Sequence, residues 1–183
     1  MKDATFKICI FGDGGVGKTS LTKKFVTGLF DPDLKFTIGL DFFVKNLEIN
    51  KKLISLQIWD FAGESRFRFL LPDYVKGASG AIFMYDITRF SSLKNMEDWL
   101  LVFNQGLIKT EKRIPFIMVG GKADLIQKRA IQSEDAIEIA KKQKFIGFIE
   151  CSSKTGENVE KIFITLANTM MKEAGLIQDN ILL

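Results

Sequence analysis

Histidine is absent from this 183-residue chain. The commonest general base and metal ligand is therefore missing, which excludes Ser-His triads and His-ligated zinc. Cysteine is scarce: Cys9 and Cys151 sit in or beside apolar runs, and neither has a CxxC partner. Two reduced, buried thiols are expected, with no disulfide framework. The N-terminal stretch MKDATFKICI has no signal-peptide pattern, and no apolar run reaches the length of a membrane span. The C-terminal LIQDNILL offers no cysteine to a prenyl group. A cytoplasmic protein is expected, reaching membranes only indirectly through partners. Strong charge of one sign is also lacking, with 26 Lys and Arg against 22 Asp and Glu. That mild surplus gives a solvated surface leaning slightly toward anions, and without a clustered basic stripe no nucleic-acid partner is expected.

What the chain does have is 46% hydrophobic and 26% charged residues, the balance of one globular domain with a substantial core. Short β-rich runs alternate with helical patterns. FKICIFG reads as a strand covered on both faces, and residues 17–27 as a helix opened by a glycine-rich turn. DFFVKNLEI and LISLQIWD, flanking Asn50-Lys51-Lys52, read as an antiparallel pair. GAIFMYDI and PFIMVGG read as buried strands, with a helix over SLKNMEDWLLVFNQGLI between them, N-capped by Ser91 or Ser92. A helix with a capping-type start at Ser133, the strand FIGFIECSS and a last helix stopped by Gly175 follow. Such alternation implies an α/β, three-layer fold: a six-stranded, mostly parallel sheet with one antiparallel strand and about five helices on both faces. Ligands in such sheets bind beyond the carboxyl ends of the strands, so chemical motifs should fall just after strands.

Four do. GDGGVGKTS follows the first strand, and Gly12–Thr19 matches G-x-x-x-x-G-K-[ST] in full. Backbone amides from Asp13, Gly14, Gly15, Val16 and Gly17 would converge on phosphate oxygens, and the helix begun near Gly17, with Ser20 in its first turn, adds its positive end. Lys18 would reach the β- and γ-phosphates, and the Thr19 hydroxyl would ligate Mg²⁺. A bare glycine turn is the competing reading, made rare by the strand before and the helix after. WDFAG follows the third strand; Asp60 suits a carboxylate on the Mg²⁺ side, and Gly63 can offer an amide to a γ-phosphate. Alone, D-x-x-G is as often a strand-end cap. VGGKADL follows the fifth strand, where Asp124, beside Leu125, has the chemistry of a guanine reader. A carboxylate accepts two parallel bonds from guanine N1–H and the 2-amino group, and adenine offers neither, so discrimination should be steep. The aliphatic stem of Lys122 would cover the base plane. ECSSKTG follows the sixth, and Ser152, Ser153 and Lys154 could line the other side of the base. The last two motifs carry little in isolation.

In this order the four motifs resemble the Ras superfamily of small GTPases over nearly the whole chain, with FTIGLDF, LQIWDFAGESRFR and YVKGASGAIFMYDIT most similar to the Rab branch. The resemblance implies a GTPase domain over residues 1–175 with a short tail over 176–183. It implies GTP or GDP with Mg²⁺ as ligands, and a monomer whose partners are effector, exchange-factor and activating proteins. It makes Thr37 a Mg²⁺ ligand and γ-phosphate sensor, sets Phe30 against the guanine, and presents Phe42, Trp59 and Tyr74 to effectors. No arginine lies between Gly12 and Thr37, so an arginine finger would come from a partner. A P-loop kinase or ATPase is disfavoured by Lys122, Asp124 and Thr37.

Three departures stand out. The family usually has glutamine after D-x-A-G, where this chain has Glu64. A carboxylate can accept from the attacking water but cannot donate to the phosphoryl group and repels its charge, so slow hydrolysis is expected. Gly121 stands where the family places an asparagine; losing one or two hydrogen bonds should weaken nucleotide binding by roughly tenfold to a hundredfold. Rab-like proteins usually end in a long cysteine-bearing tail, whereas this sequence stops on NILL, so either it is cut from a longer chain or no lipid is carried. Glu64 and Gly121 together keep an alternative open, a non-hydrolysing nucleotide-binding scaffold.

Overall fold

The computed structural model describes residues 2–107 and 113–178. Its centre is a six-stranded sheet in the order β2-β3-β1-β4-β5-β6. The strands are β1 (Ala4–Phe11), β2 (Leu40–Ile49), β3 (Lys52–Phe61), β4 (Gly80–Asp86), β5 (Phe116–Gly121) and β6 (Gly147–Glu150). Among the described residues only the β2–β3 pairing is antiparallel. The hairpin joining them is tighter than the sequence suggests. Ile49 pairs with Lys52, leaving Asn50 and Lys51 as a two-residue turn with φ of 52° and 61°. Both residues in the left-handed region give the turn whose twist matches that of its strands.

Six α-helices occur among the described residues: α1 (Lys18–Thr27), α2 (Leu71–Tyr74), α3 (Phe90–Lys94), α4 (Met96–Leu107), α5 (Ser133–Lys142) and α6 (Val159–Glu173). Alternation along β1 splits the core. Ile8 and Ile10 join Leu21 and Phe25 of α1 and Ile162, Phe163 and Leu166 of α6. Phe25 and Phe163 stack there with ring centroids 3.9 Å apart. Cys9 and Phe11 face the other way, toward Trp99 and Phe103 of α4 and Ala136 and Ala140 of α5. Three layers result, as the strand–helix alternation implies. Cys9 and Cys151 are both buried and free, and burial pushes each thiol up to about 12, so neither is a reactive thiolate.

Local differences from the sequence reading have local causes. The helix expected across SLKNMEDWLLVFNQGLI is two helices, α3 and α4, divided at Asn95, whose side-chain amide is drawn to Asp13; Ile108 lies outside the described residues. Neither Ser91 nor Ser92 caps it, since Arg89 holds that position. The Ser92 hydroxyl instead accepts from the Asp86 amide at 3.0 Å and donates to the Arg89 carbonyl at 2.7 Å, tying the end of β4 to α3. Ser133 is the first residue of α5 behind the cap Gln132, and its hydroxyl donates to Glu150. After α6, Gly175 turns with φ of 70°, and its amide reaches the Lys172 carbonyl at 2.9 Å. Leu176 and Ile177, assigned to the tail on sequence, pack against the first core cluster. Residues 179–183 of that tail lie outside the described residues.

Candidate functional site

The carboxyl ends of β1, β3 and β5 and the loop after β6 surround one cavity of about 580 Å³. Its lining includes Gly14, Gly15, Val16, Gly17, Lys18, Thr19 and Ser20 from the loop after β1 and the start of α1. Phe30 and Thr37 come from the segment before β2, Gly63 and Glu64 from the turn after β3, and Lys122, Asp124, Leu125, Ser153 and Lys154 from the loops after β5 and β6. Residues far apart in sequence thus share one concave wall, at the place where open α/β sheets bind ligands.

The Lys18 ammonium sits deep in this wall. It donates to the Gly12 carbonyl at 2.8 Å and the Asp13 carbonyl at 2.7 Å. Burial pushes its pKa down to about 8, against the attraction of Asp60 and Asp13. Asp60 is fully buried, and burial pushes its carboxyl up to about 6, against the pull of Lys18 and the Thr19 hydroxyl. Desolvation of each charge thus outweighs their mutual attraction, as expected of ions removed from water. Thr19 Oγ1 donates to Asp60 Oδ2 and lies 2.6 Å from Thr37 Oγ1. Asp60 Oδ1 is buried without a hydrogen-bond partner. Two hydroxyls and an orphaned carboxylate oxygen make a hard-oxygen donor set suited to Mg²⁺, which takes few protein ligands and completes its shell with water and phosphate.

The Asp13 side chain turns away from the cavity. Its carboxylate accepts from Asn95 Nδ2 at 2.8 Å, from Trp99 Nε1 at 2.7 Å and from Arg68 at 3.5 Å. Arg68 belongs to the 3₁₀ turn Ser65–Leu70 and lies over the Trp99 ring at 4.3 Å. Arg89 braces the same loop by donating to the Gly14 carbonyl at 2.7 Å. These four partners of the loop after β1 were not legible as site residues, because each arrives from a different element.

Gly63 meets the loop directly. Its carbonyl accepts from the Gly14 amide at 2.9 Å, and a Cβ at 63 would lie 2.2 Å from the Asp13 carbonyl carbon. Glu64 is about 40% exposed and pairs with Arg66, Oε2 to Nε 2.9 Å. Phe61, three residues before Glu64, is buried in the second core cluster.

At the end of the cavity formed by the loops after β5 and β6, Asp124 accepts from the Ser152 hydroxyl at 2.7 Å. Ser152 is fully buried and acts on the cavity through Asp124. Lys122 takes the left-handed φ of 68° and reaches Asp86 at 2.7 Å. Burial alone would raise the Asp86 carboxyl; bonds from Lys122 and Thr88 outweigh it and hold the group below its ordinary range. Phe36 and Met84 also line the cavity. Phe36 adjoins Thr37 and was within reach of the sequence reading, whereas Met84 belongs to a buried strand and gave no signal.

On the opposite edge of the sheet, the Phe42 and Trp59 rings lie 5.2 Å apart, and Trp59 and Tyr74 5.8 Å apart. Phe42 and Tyr74 are exposed and Trp59 half-buried, so the three form a partly open aromatic face.

Comparison with known proteins matches the Ras family model to residues 7–172. Human Ras-related protein Rab-30 is 39% identical over 172 residues, covering 94% of this chain and 83% of that protein. Ras-related protein RABC2a of Arabidopsis thaliana is 39% identical over 178 residues, 97% of this chain and 83% of that protein. Ras-related protein Rab-19 of Xenopus laevis is 37% identical over 169 residues, 92% and 78% respectively.

Proposed function

The chain belongs to the Ras family, and on that premise we propose that it is a Rab-type switch in membrane traffic, with the following division of labour among its residues. Guanine-nucleotide binding and GTP hydrolysis come with the family. The observation that carries the residue roles is that a single cavity is lined by Lys18, Thr19 and Thr37 as well as by Asp124. A triphosphate and a guanine need these two chemistries within one molecule's length.

The triphosphate lies along the amides of Gly15 to Thr19, with Lys18 leaving its two carbonyl acceptors for phosphate oxygens. Thr19, Thr37 and Asp60 hold Mg²⁺, which when bound neutralises charge on the phosphates. Asp124, oriented by Ser152, accepts from guanine N1–H and the 2-amino group, and Lys122 and Phe30 flank the base. In hydrolysis a water oxygen bonds to the γ-phosphorus as the bond to the GDP oxygen breaks. Glu64 accepts the water's hydrogen bond but cannot donate to the phosphoryl oxygens, so the intrinsic rate is low. Loss of the γ-phosphate releases Thr37 and Gly63, and both loops relax. Effectors read the ordered state through Phe42, Trp59 and Tyr74. The protein acts as a monomer, and any arginine finger comes from an activating protein.

The test is direct. Purified chain freed of carried-over nucleotide takes up GDP and GTP in the presence of Mg²⁺ and strongly prefers guanine to adenine nucleotides. A chain that takes up neither overturns the reading. Single-turnover hydrolysis, with and without a candidate activating protein, separates the switch from a non-hydrolysing scaffold.

A further inference from the structure

Gly121 ends β5, in register with Asp86 of β4, and Met84 is in register with Val119. Side chains two apart on a strand share a face, so Met84, Asp86, Val119 and Gly121 lie on one side of the sheet, with Met84 diagonal to Gly121. Gly121 is not among the residues of positive φ, so its backbone does not require glycine. What leaves no room for a side chain is the neighbourhood. A Cβ at 121 would lie 2.4 Å from the Met84 methyl and 2.9 Å from the Val16 carbonyl oxygen. The same methyl lies 3.4 Å from where a Cβ at Gly17 would stand. One thioether methyl therefore touches both the phosphate loop and the base-reading turn. Met84 is 1% exposed, yet it lines the nucleotide cavity.

We propose that Met84 is a positioning residue of the nucleotide site: its thioether occupies the space a side chain at 121 would fill and braces the phosphate loop against the base-reading turn. The inference rests on the nucleotide reading above and deepens it. Where an asparagine would join the two loops by polar contacts, this chain joins them by an apolar plug. Methionine suits the task, because an unbranched, polarisable side chain fills an irregular gap between two loops. Positions 84 and 121 are then one unit, and the glycine marks a side chain relocated to the neighbouring strand. Restoring asparagine at 121 alone forces the methyl out of a closed space against a backbone oxygen that cannot move aside.

The experiment is a double-mutant cycle on the full chain with Met84→Ala, Gly121→Asn and both together. It reads the release rate of a fluorescent GDP chased by excess GDP with Mg²⁺, and the urea midpoint of each protein. Met84→Ala is expected to speed release by about tenfold, the factor that corresponds to losing about 1.4 kcal/mol of bound-state stabilisation. Gly121→Asn alone does not slow release. The double variant releases GDP about tenfold more slowly than Met84→Ala, because the asparagine now has room; coupling of this size is what contacting residues show. Additive effects on release overturn the assignment, as does Gly121→Asn alone slowing release as much as the pair. A Met84→Ala protein with a lowered urea midpoint and an unchanged release rate makes Met84 a core residue only, and overturns it too. A wild-type chain that takes up no GDP at all overturns the function reading and this assignment together, so the two failures are distinguishable.

Discussion

The Gly14 amide and the Gly63 carbonyl share a 2.9 Å hydrogen bond, putting the phosphate loop in main-chain contact with the turn after β3. A methyl group at 63 cannot enter that contact, since it would overlap the Asp13 carbonyl carbon and the Gly14 nitrogen. Gly63→Ala therefore pushes the turn off the γ-phosphate position. Single-turnover GTP hydrolysis is expected to fall by about a hundredfold, the order of loss that an ångström of misplacement brings. GDP affinity should stay close to wild type, because GDP makes no demand on the turn. Equal losses in both measurements contradict the assignment of Gly63 to the γ-phosphate.

Glu64 sits at the cavity wall with its carboxylate held toward Arg66. Glu64→Gln supplies the donor that the carboxylate lacks and removes the like charge. Single-turnover hydrolysis should rise by at least about tenfold, a part of the roughly hundredfold or more that one well-placed transition-state donor contributes. A rate that does not move removes Glu64 from the water-orienting role.

Ser152 and Asp124 make a graded pair. Ser152→Ala removes one hydrogen bond to the base-reading carboxylate, worth about 0.5–1.5 kcal/mol, so GDP affinity should drop roughly threefold to tenfold with guanine preference retained. Asp124→Asn replaces one acceptor by a donor and should abolish the preference for guanine over adenine. Calorimetry with GDP and ADP checks both variants. If Asp124→Asn still prefers GDP, another group reads the base.

Asp60 gives the site a pH dependence. Its carboxyl is raised from the ordinary 3.8 to about 6 by burial, so it must give up a proton to hold a cation. Mg²⁺ affinity in the GDP complex should fall as pH drops through about 6, and Asp60→Asn should flatten the profile. Stability of the nucleotide-free chain has the opposite sign. A folded pKa above the unfolded one contributes stability that is fully present below the unfolded value of 3.8 and is lost as pH rises through about 6. Mg²⁺ titrations between about pH 5 and 8 and urea midpoints from about pH 3.5 to 8 check the two limbs. A pH-independent Mg²⁺ affinity rules Asp60 out as a ligand.

How far the chain can be read without coordinates depends on the range of each interaction. Gly12 to Thr19 is legible because its chemistry and spacing are contiguous, and the strand–helix switch around it is a local signal. The sheet and the antiparallel β2–β3 pair follow from hydrophobic period alone. Asp124 is legible as a type of residue, but its hydroxyl partner, Ser152, comes from the loop after a different strand. The group around Asp13 is harder still. Arg68, Asn95 and Trp99 reach it from a 3₁₀ turn, a helix junction and a helix, so no spacing announces them. Met84 is least visible, because its effect on position 121 depends on strand register, and one apolar residue in a buried run looks like any other. The division at Asn95 shows the same limit: periodicity saw one continuous helix, and a tertiary hydrogen bond placed the break.

The chain holds two tryptophans, and the fold places them in unlike surroundings. Trp99 is buried, bonded to the Asp13 carboxylate and covered by the Arg68 guanidinium. Trp59 lies in the aromatic face, with the Lys7 ammonium 4.1 Å over its ring. Indole emission is sensitive to nearby charge, so each fluorophore reports a separate event. Withdrawal of Arg68 dims or shifts the interior signal, while a protein seated on the outer edge alters the other. Replacing either indole by phenylalanine leaves a single-channel optical gauge, built from native atoms and needing no attached dye.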